Sequence, residues 1–357
     1  MTIPQSDILS TNRLGRVFTN TSATYKFFWF VSILQIHAQK DCSRIDVWDI
    51  VIRMVANAWY PIHYFRLSFG KSDSLFDIVM ELQRITGIPI DAQKERVIKV
   101  LSDNVKDKRI KEQLLTLTLN VPYRFLSPWI TYSSNIDTIR RSQTFQNGCL
   151  YALHKNEADF FIELNPIWNN YLHAHYNILV DFAFWNLTLF LQVRNPNVPN
   201  IPNKLIKSET RNSLALQHQY WDFVMEHGLK LNCIYTKNPL APKNYDLDHF
   251  IPWSFVSHDL LWNLMPADAS INSSKSNKLP DLDIYLPRLA TVHQQAIKIC
   301  LREQYRGTKI LEDYLSLGKT PQELVEMDKE HLLDCFMRIF SPMNQIALNM
   351  GFETWKY

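Results

Sequence analysis

Glycine is scarce in this chain, at eight of 357 residues, and long stretches without it read as amphipathic runs. Glycine supplies the left-handed conformations that tight hairpin turns need, so its scarcity argues against a protein built from many short strands. We therefore predict a mostly helical protein. The length, with 46% apolar residues, suffices for roughly two or three packed domains.

Cysteine is also sparse, and none of the five cysteines forms a Cys-x-x-Cys pair. They are Cys42, Cys149, Cys233, Cys300 and Cys335. A structural zinc ion held by two such pairs is therefore not expected. We predict ordinary buried thiols of a reduced cytoplasm.

No apolar run in the sequence is long enough to cross a bilayer. The most apolar stretch, Ile178–Leu191, is short and is interrupted by Asp181 and Asn186, so we predict a buried helix there. Residues 1–24 are polar and lack the apolar core of a signal peptide. We expect a cytoplasmic protein without a membrane partner.

The candidate catalytic residues lie close together in residues 245–280, which read YDLDHFIPWSFVSHDLLWNLMPADASINSSKSNKLP. Asp248 and His249 are adjacent, Asn263 lies in a Trp-Asn-Leu step, and Asn272 and Lys275 form an Asn-x-x-Lys pattern. These are the groups that phosphodiester hydrolysis with a hard metal ion requires. Histidine suits a general base near neutral pH, so His249 is the candidate base. Asp248 and Asn272 are the candidate metal ligands.

This segment resembles the ββα-metal fold of the HNH endonucleases. Its Asp-His, Asn and Asn-x-x-Lys spacing is similar to that of the target-strand nuclease domain of CRISPR RNA-guided effectors. The flanking sequence carries no such resemblance. The expected fold class is mainly α with a small embedded ββα-metal module, α+β overall.

The ligand types point to a particular metal. Carboxylate and amide oxygens suit Mg²⁺ or Mn²⁺, whereas imidazole and thiolate suit Zn²⁺. Many HNH enzymes carry histidine where Asn272 stands, so the asparagine favours Mg²⁺, with Mn²⁺ expected to substitute. Water and a phosphate oxygen would complete the shell around two protein ligands.

Three further residues are expected to support the site. By resemblance, Asn263 would hydrogen-bond the loop after the catalytic strand and so fix the imidazole of His249. Lys275 lies three residues after Asn272, on the same face of a helix, and could contact a phosphate. Asp246 lies two residues before Asp248 and shares its face of a strand, as a supporting carboxylate or an alternative ligand.

The local pattern predicts a β, β, α order, with strands over 231–236 and 245–249 and a helix over 268–277. Adjacent residues on a regular strand face opposite sides, so Asp248 and His249 should lie at a strand end. Pro252 supports this, because proline removes a ladder donor.

A net charge of +3 is only mildly basic, so any nucleic-acid groove must concentrate its cations locally. The candidates for contacts to a nucleic-acid backbone are Lys237, Lys243, Lys278, Lys204, Lys207 and Arg211. Each is equally consistent with an ordinary solvated surface. Such contacts carry salt dependence but no base specificity.

Residues 195–203 are rich in proline and asparagine and read as a linker, because three prolines in seven residues are incompatible with a helix. We therefore predict an amino-terminal helical domain over 1–203, the nuclease module with a lead-in helix over 204–285, and a carboxy-terminal helical segment over 286–357. Periodicity predicts helices over 25–35, 47–60, 75–86, 92–101, 165–193, 205–226 and 289–305. Thr320 begins a further helix with a capping box.

A second histidine pattern, His173-Ala174-His175, could suggest a metal pair. Residues two apart on a helix point away from each other, so the sequence does not favour a site formed by these two.

The leading functional hypothesis is a Mg²⁺-dependent DNA endonuclease. By resemblance, its products carry 3′-hydroxyl and 5′-phosphate ends, and by analogy it serves in bacterial phage defence or restriction, alongside partner proteins. One module offers one active site, so a monomer should nick and a double-strand break would need a dimer or two events. An RNA-cleaving nuclease or toxin, and a non-catalytic nucleic-acid-binding subunit of a defence complex, are the alternatives.

Overall fold

A computed structural model describes residues 2–157, 159–206 and 213–356. Two of the candidate backbone contacts, Lys207 and Arg211, lie outside the described residues. The chain divides into two compact units, the first formed by Met1–Pro196 and Ile201–Lys207 and the second by Asn197–Asn200 and Ser208–Tyr357.

The first unit consists mainly of helices. They are α1 Thr11–Leu14, α2 Tyr25–Lys40, α3 Val47–His63, α4 Ser74–Thr86, α5 Lys94–Asp103, α6 Lys108–Thr118, α7 Val121–Arg124, α8 Asn135–Ser142, α9 Asn169–Ala174 and α10 Tyr176–Arg194. Short 3₁₀ turns cover Gln146–Gly148, Pro166–Trp168 and Ile201–Lys204. Helix α2 is buried on almost every side, from Phe27 to His37, which makes it the centre of this core.

A small sheet in the first unit was not predicted from the sequence. Strands β1 (Arg44–Asp46), β2 (Tyr151–Lys155) and β3 (Phe160–Leu164) form an antiparallel sheet in the order β1-β3-β2. Residues 44–46, 151–155 and 160–164 are too few in each strand to show a convincing period of two.

The predicted helices over 25–35, 47–60, 75–86 and 92–101 correspond to α2, α3, α4 and α5. Helix α3 runs past Pro61 to His63, so this proline does not end it. The region 165–193 is not one helix but a 3₁₀ turn followed by α9 and α10, which are separated at His175.

The second unit contains the nuclease-like segment. Its elements are α11 Ala215–Glu226, β4 Asp246–His249, α12 Trp253–Val256, β5 Leu264–Ala267, α13 Ala269–Lys275, α14 Leu282–Arg302, α15 Pro321–Glu326 and α16 Lys329–Asn349. Further 3₁₀ helices cover Leu261–Asn263 and Thr308–Leu317. Strands β4 and β5 pair antiparallel and α13 follows directly, which is a ββα arrangement. With 58% of the chain helical, the predicted fold class is confirmed.

The strand assignment within this unit needs correction. Residues 231–236 are not the first strand but part of a turn, in which Lys237 N donates to Cys233 O and the two sides meet at the single bridge Asn232–Pro239. The partner of β4 is instead β5, downstream, with Asp248 opposite Met265. As predicted, the Asp-His pair lies at a strand end, because β4 ends at His249.

One hydrophobic core joins the ββα segment to the helices that follow it. Phe340 of α16 packs edge-on against Phe250 and Trp262, at ring-centroid distances of 5.3 and 5.2 Å. The last described residues return to the ββα segment, where Leu279 N donates to Glu353 O and Trp355 N donates to Leu279 O.

Helix ends follow the local sequence signals. The capping box at Thr320 is present, with Thr320 Oγ1 accepting from Glu323 N and Glu323 Oε2 accepting from Thr320 N.

In the described ranges, no helix combines the length and the apolar character that spanning a membrane requires.

Candidate active site

Helix α13 places two polar side chains against two acidic side chains of strand β4. Asn272 and Lys275 lie three residues apart on one face of the helix, and Asp246 and Asp248 share one face of the strand. The result is two neighbouring pairs. Asn272 Nδ2 lies 3.4 Å from Asp246 Oδ2, and Lys275 Nζ lies 2.9 Å from Asp248 Oδ1.

Asp248 is buried and held by two donors. Its Oδ1 accepts from Lys275 Nζ, and its Oδ2 accepts from Tyr235 Oη at 2.7 Å. Burial first, and the nearby carboxylate second, raise the pKa of Tyr235 well above its usual range, so its hydroxyl remains a donor. An ionised carboxylate offers about four acceptor positions, and hydrogen bonds from the described residues occupy two of them on Asp248.

Lys275 does not lie where a phosphate contact would place it. Its side chain is fully buried, and its ammonium donates to Asp248 Oδ1 and, at 2.7 Å, to the backbone carbonyl of His249. The last turn of α13 faces strand β4 instead of solvent, which is why the ammonium is enclosed. Lys275 therefore joins α13 to the end of β4 that carries His249.

Asn272 is half-buried, and Asp246 determines the orientation of its amide. An ionised carboxylate can only accept hydrogen bonds, so the amide nitrogen of Asn272 faces Asp246 and the amide oxygen points away from it. Asp246 thus leaves Asn272 Oδ1 available as an oxygen ligand.

His249 forms a hydrogen-bonded pair with Asp259. The distance from Nε2 to Asp259 Oδ1 is 2.8 Å, and the two side chains are 12% and 20% exposed. In the neutral imidazole the proton therefore sits on Nε2, and Nδ1 carries the lone pair that can accept a proton. Within the described residues, Asp259 is the imidazole's hydrogen-bond partner.

Asp259 was not identified from the sequence. It lies in the loop between β4 and β5, and its backbone carbonyl accepts from Gln217 Nε2 at 3.1 Å. One signal could have found it: Asp259 is the single acidic residue between His249 and Asp268. Tyr235 was likewise missed, since nothing in the sequence places it beside Asp248.

Asn263 is buried and bonds the chain that follows His249. Its Oδ1 accepts from Ile251 N at 2.8 Å and its Nδ2 donates to Ile251 O at 2.9 Å. Its own carbonyl accepts from Phe250 N. These bonds hold the loop after β4 at a fixed distance from β5, and therefore restrain His249 at the end of the strand.

A comparison with known protein families identifies the segment that holds these residues. A family model described as HNH endonuclease matches residues 233–281, which contain β4, β5 and α13. The chain carries an HNH domain. Neither the curated proteins nor the solved structures contain a match to the chain. The match supports nuclease activity, and it does not extend to the narrower likeness to CRISPR effectors.

Three of the candidate cations are accessible around the HNH domain. Lys237 and Lys243 are exposed and Lys278 is half-buried. Lys243 is the only one of the three with a carboxylate near it in the described chain, with Nζ 3.8 Å from Glu226 Oε1, and that pair is largely exposed. An exposed pair of this kind is weak, so Lys243 remains available to other anions.

Lys204 is wrongly assigned as a backbone contact. It is fully buried in the first unit, with its ammonium 5.5 Å from the centre of the Phe65 ring. Burial lowers the pKa of Lys204 to about 7. An enclosed ammonium cannot reach a phosphodiester backbone.

The donor chemistry of the HNH domain fits a hard divalent cation. Asp246, Asp248 and Asn272 provide oxygen atoms, while the imidazole of His249 is directed to Asp259. In the part of the chain that the structure describes, three His, Cys, Asp or Glu ligand atoms do not meet here, so the set depends on the carboxamide. Oxygen donors of this kind suit Mg²⁺ or Mn²⁺ better than Zn²⁺.

Proposed function

We propose that this protein is a Mg²⁺-dependent endonuclease that hydrolyses phosphodiester bonds in DNA, with His249 as the general base. The observation that carries the proposal is the His249–Asp259 pair at the end of β4, beside the oxygen donors of β4 and α13. A base, its orienting carboxylate and a hard-cation donor set are the parts that this reaction needs.

His249 would take the proton from the attacking water at Nδ1. Asp259 keeps the proton of the neutral ring on Nε2 and compensates the positive charge that forms as Nδ1 is protonated. Asn263 restrains the backbone on the other side of His249 through Ile251, so the imidazole cannot follow a moving loop.

Asp248 and Asn272 would hold the cation, with Asp246 orienting the carboxamide. When bound, Mg²⁺ would act as a Lewis acid on the phosphoryl group and as a template for the substrate. Lys275 and Tyr235 fix the direction of the Asp248 carboxylate before any cation arrives. Partners of this type orient metal ligands and tune their affinity.

Lys237, Lys243 and Lys278 would contact the nucleic-acid backbone. Each contact adds affinity that falls with salt concentration and carries no base preference. The donor set offers one base, so a monomer would cut one strand at a time. By analogy we place this activity in bacterial phage defence or restriction, together with partner proteins that recognise the target.

Relaxation of supercoiled plasmid tests the proposal. The full chain is incubated with Mg²⁺, with Mn²⁺ or with chelator, and compared with His249→Ala and Asn272→Ala. We expect open circles with either metal and none with chelator, and a rate at least about 100-fold lower for His249→Ala. His227→Ala, an exposed histidine of the same unit, is the matched control and should cut at the wild-type rate.

Two results would count against the proposal. Plasmid left supercoiled by the wild type under every metal would exclude an autonomous DNA endonuclease. Equal cutting by wild type and His249→Ala would show that His249 is not the base. A parallel incubation with total RNA addresses the substrate: degradation of RNA with plasmid left intact would favour the RNA-cleaving alternative.

A further inference from the structure

Three potential metal ligands from distant parts of the chain meet in the first unit. One ligand atom each of His37, Asp41 and His173 lie within 4.8 Å of one another. His37 lies in the last turn of α2, Asp41 directly follows that helix, and His173 is on α9. His173 Nε2 is 2.9 Å from Asp41 Oδ1, and the two imidazole rings lie 4.5 Å apart.

His37 carries a nitrogen that the protein leaves unused. Its side chain is 3% exposed, and Nδ1 lies 3.2 Å from the carbonyl oxygen of Cys42. A carbonyl only accepts, so Nδ1 carries the proton and Nε2 carries a lone pair. No described residue hydrogen-bonds that buried Nε2. Leaving a buried acceptor without a partner costs free energy, so such an atom calls for an explanation.

Metal coordination provides that explanation. A histidine that binds a metal through one ring nitrogen usually donates the other N–H to a backbone carbonyl or a carboxylate, which fixes the tautomer. His37 already has this arrangement through Cys42. The hydrogen bond therefore prepares Nε2 for a cation before one is present.

We propose that His37, Asp41 and His173 form a binding site for a divalent transition metal of the Zn²⁺ type. Two imidazoles and one carboxylate are a donor set that suits Zn²⁺ and its neighbours and disfavours Mg²⁺. The cation ligands proposed for the HNH domain are oxygen atoms, so the two sites should select different metals. Asp41 and His173 are exposed, which gives a cation a route from solvent and leaves a position for water.

The site uses one histidine of the His-Ala-His pattern and not the other. His175 makes an edge-on ring contact with Tyr171 at 4.7 Å and is not part of the ligand group. The partners of His173 are instead His37, in the last turn of α2, and Asp41, directly after that helix, both more than a hundred residues earlier in the chain. A cation would join the end of α2 to α9, two helices of the same unit.

Cobalt binding measured by visible absorption tests the proposal directly, because Co²⁺ substitutes for Zn²⁺ and reports its coordination. The untagged full chain is stripped with chelator, returned to buffer containing excess Mg²⁺ and titrated with Co²⁺, which Zn²⁺ then displaces. We expect the wild type to bind one equivalent of Co²⁺. His173→Ala should bind Co²⁺ with at least about 100-fold lower affinity, because loss of a residue that merely hydrogen-bonds a metal ligand already lowers affinity by about 10–100-fold.

Two further variants sharpen the test. His175→Ala changes the neighbouring histidine and should bind Co²⁺ as the wild type does. Asp41→Asn removes the carboxylate but keeps the positive φ of 44° at Asp41, which asparagine tolerates, and should also weaken binding. Circular dichroism establishes that each variant is folded, and added Zn²⁺ should raise the Tm of the wild type but not that of His173→Ala.

The proposal is overturned if His173→Ala binds Co²⁺ with the wild-type stoichiometry and affinity. It is also overturned if His175→Ala loses as much affinity as His173→Ala, since surface histidines would then share the ion without a defined site. Neither result bears on the HNH domain, whose test is the cutting of plasmid.

Discussion

Lys275 and Asp248 form an ion pair that is almost fully enclosed, with Nζ 2.9 Å from Oδ1 and side-chain exposures of 0% and 3%. Both charges are further satisfied, by the carbonyl of His249 and by the hydroxyl of Tyr235. The pair therefore adjoins the end of β4 that carries His249. Asp248 is a proposed cation ligand, and Lys275 also bonds the backbone of His249, the proposed base. The ion pair should therefore affect both the stability of the HNH domain and its activity.

Replacing Lys275 with methionine should destabilise the protein strongly. The change leaves the Asp248 carboxylate buried without its cation, which typically costs about 3–5 kcal/mol. The free energy of unfolding in urea measures this. Lys278→Met, at the half-buried lysine three residues later, is the control and should change stability by no more than about 0.5 kcal/mol. A loss for Lys275→Met as small as that of the control would show that the pair is not enclosed in solution.

Replacing Asp259 with asparagine should lower turnover without weakening substrate binding. The amide group no longer compensates the positive imidazole, and its NH₂ group can favour the wrong ring tautomer of His249. We expect kcat to fall by about 100-fold or more with KM little changed. Plasmid relaxation rates at several DNA concentrations measure both constants. The control is Asp283→Asn, at an exposed residue at the start of α14, which should retain the wild-type rate. Equal rates for the two variants would show that Asp259 does not take part in catalysis.

Asp246 and Asp248 should differ in how their loss affects the metal requirement. Asp246→Asn removes only the group that orients the Asn272 amide, so we expect the Mg²⁺ concentration for half-maximal rate to rise about 10–100-fold, with the saturating rate retained. Asp248→Asn removes a proposed ligand and should abolish cutting at all Mg²⁺ concentrations. If Asp246→Asn is equally inactive, Asp246 is itself a ligand.

The parts of the site that the sequence predicted are those set by short spacing. Asp248, His249 and Asn272 were assigned from residue type and order, and the helix predicted over 268–277 to carry Asn272 is observed over Ala269–Lys275. The contacts of Asn263 with Ile251 span only twelve residues. The relative positions of these residues depend on local spacing. Neighbours at a strand end, or within one helical turn, can be placed relative to each other in only a few ways.

The sequence predictions that were wrong concern burial and the pairing of distant segments. A lysine on a helix next to serines reads as solvent-exposed, yet Lys275 is enclosed by its contacts with β4. The run 231–236 has strand-like residues, whereas the true partner of β4 contains Pro266. Strand propensity reports how a residue fits a pleated surface and not which segment lies beside it. The proposed metal ligands His37 and His173 are likewise far apart in the sequence, on α2 and α9.

The carboxy-terminal tail should matter for catalysis although it lies outside residues 233–281. Trp355 packs edge-on against Tyr235 at 5.1 Å, and Tyr235 holds Asp248. Trp355→Ala should cost about 3–5 kcal/mol of stability through the cavity it leaves, and should slow plasmid relaxation. The neighbouring exposed residue gives the control, Lys356→Ala, which should be silent in both assays. Wild-type stability in Trp355→Ala would mean that the tail does not pack as described.

His293 should make the stability of the second unit fall in mild acid. It is fully buried, its Nδ1 is 2.6 Å from Tyr314 Oη, and no described residue bonds its Nε2. Burial lowers its pKa from 6.5 to about 3. Between these values the unfolded chain binds the proton and the folded chain does not. The stability due to neutral His293 is therefore complete above pH 6.5 and is lost as pH falls toward 3, by at most about 1.4 kcal/mol per pH unit.

Unfolding in urea, followed by tryptophan fluorescence at half-unit steps from pH 7 to pH 4.5, measures this slope. His293→Gln keeps a hydrogen-bonding group beside Tyr314 but cannot titrate, so its free energy of unfolding should fall less steeply with decreasing pH than that of the wild type. His227→Gln, at an exposed histidine of the same unit, should follow the wild-type curve. Parallel curves for wild type and His293→Gln would mean that His293 is hydrated or paired in solution, because only an enclosed, neutral imidazole excludes the proton over this range.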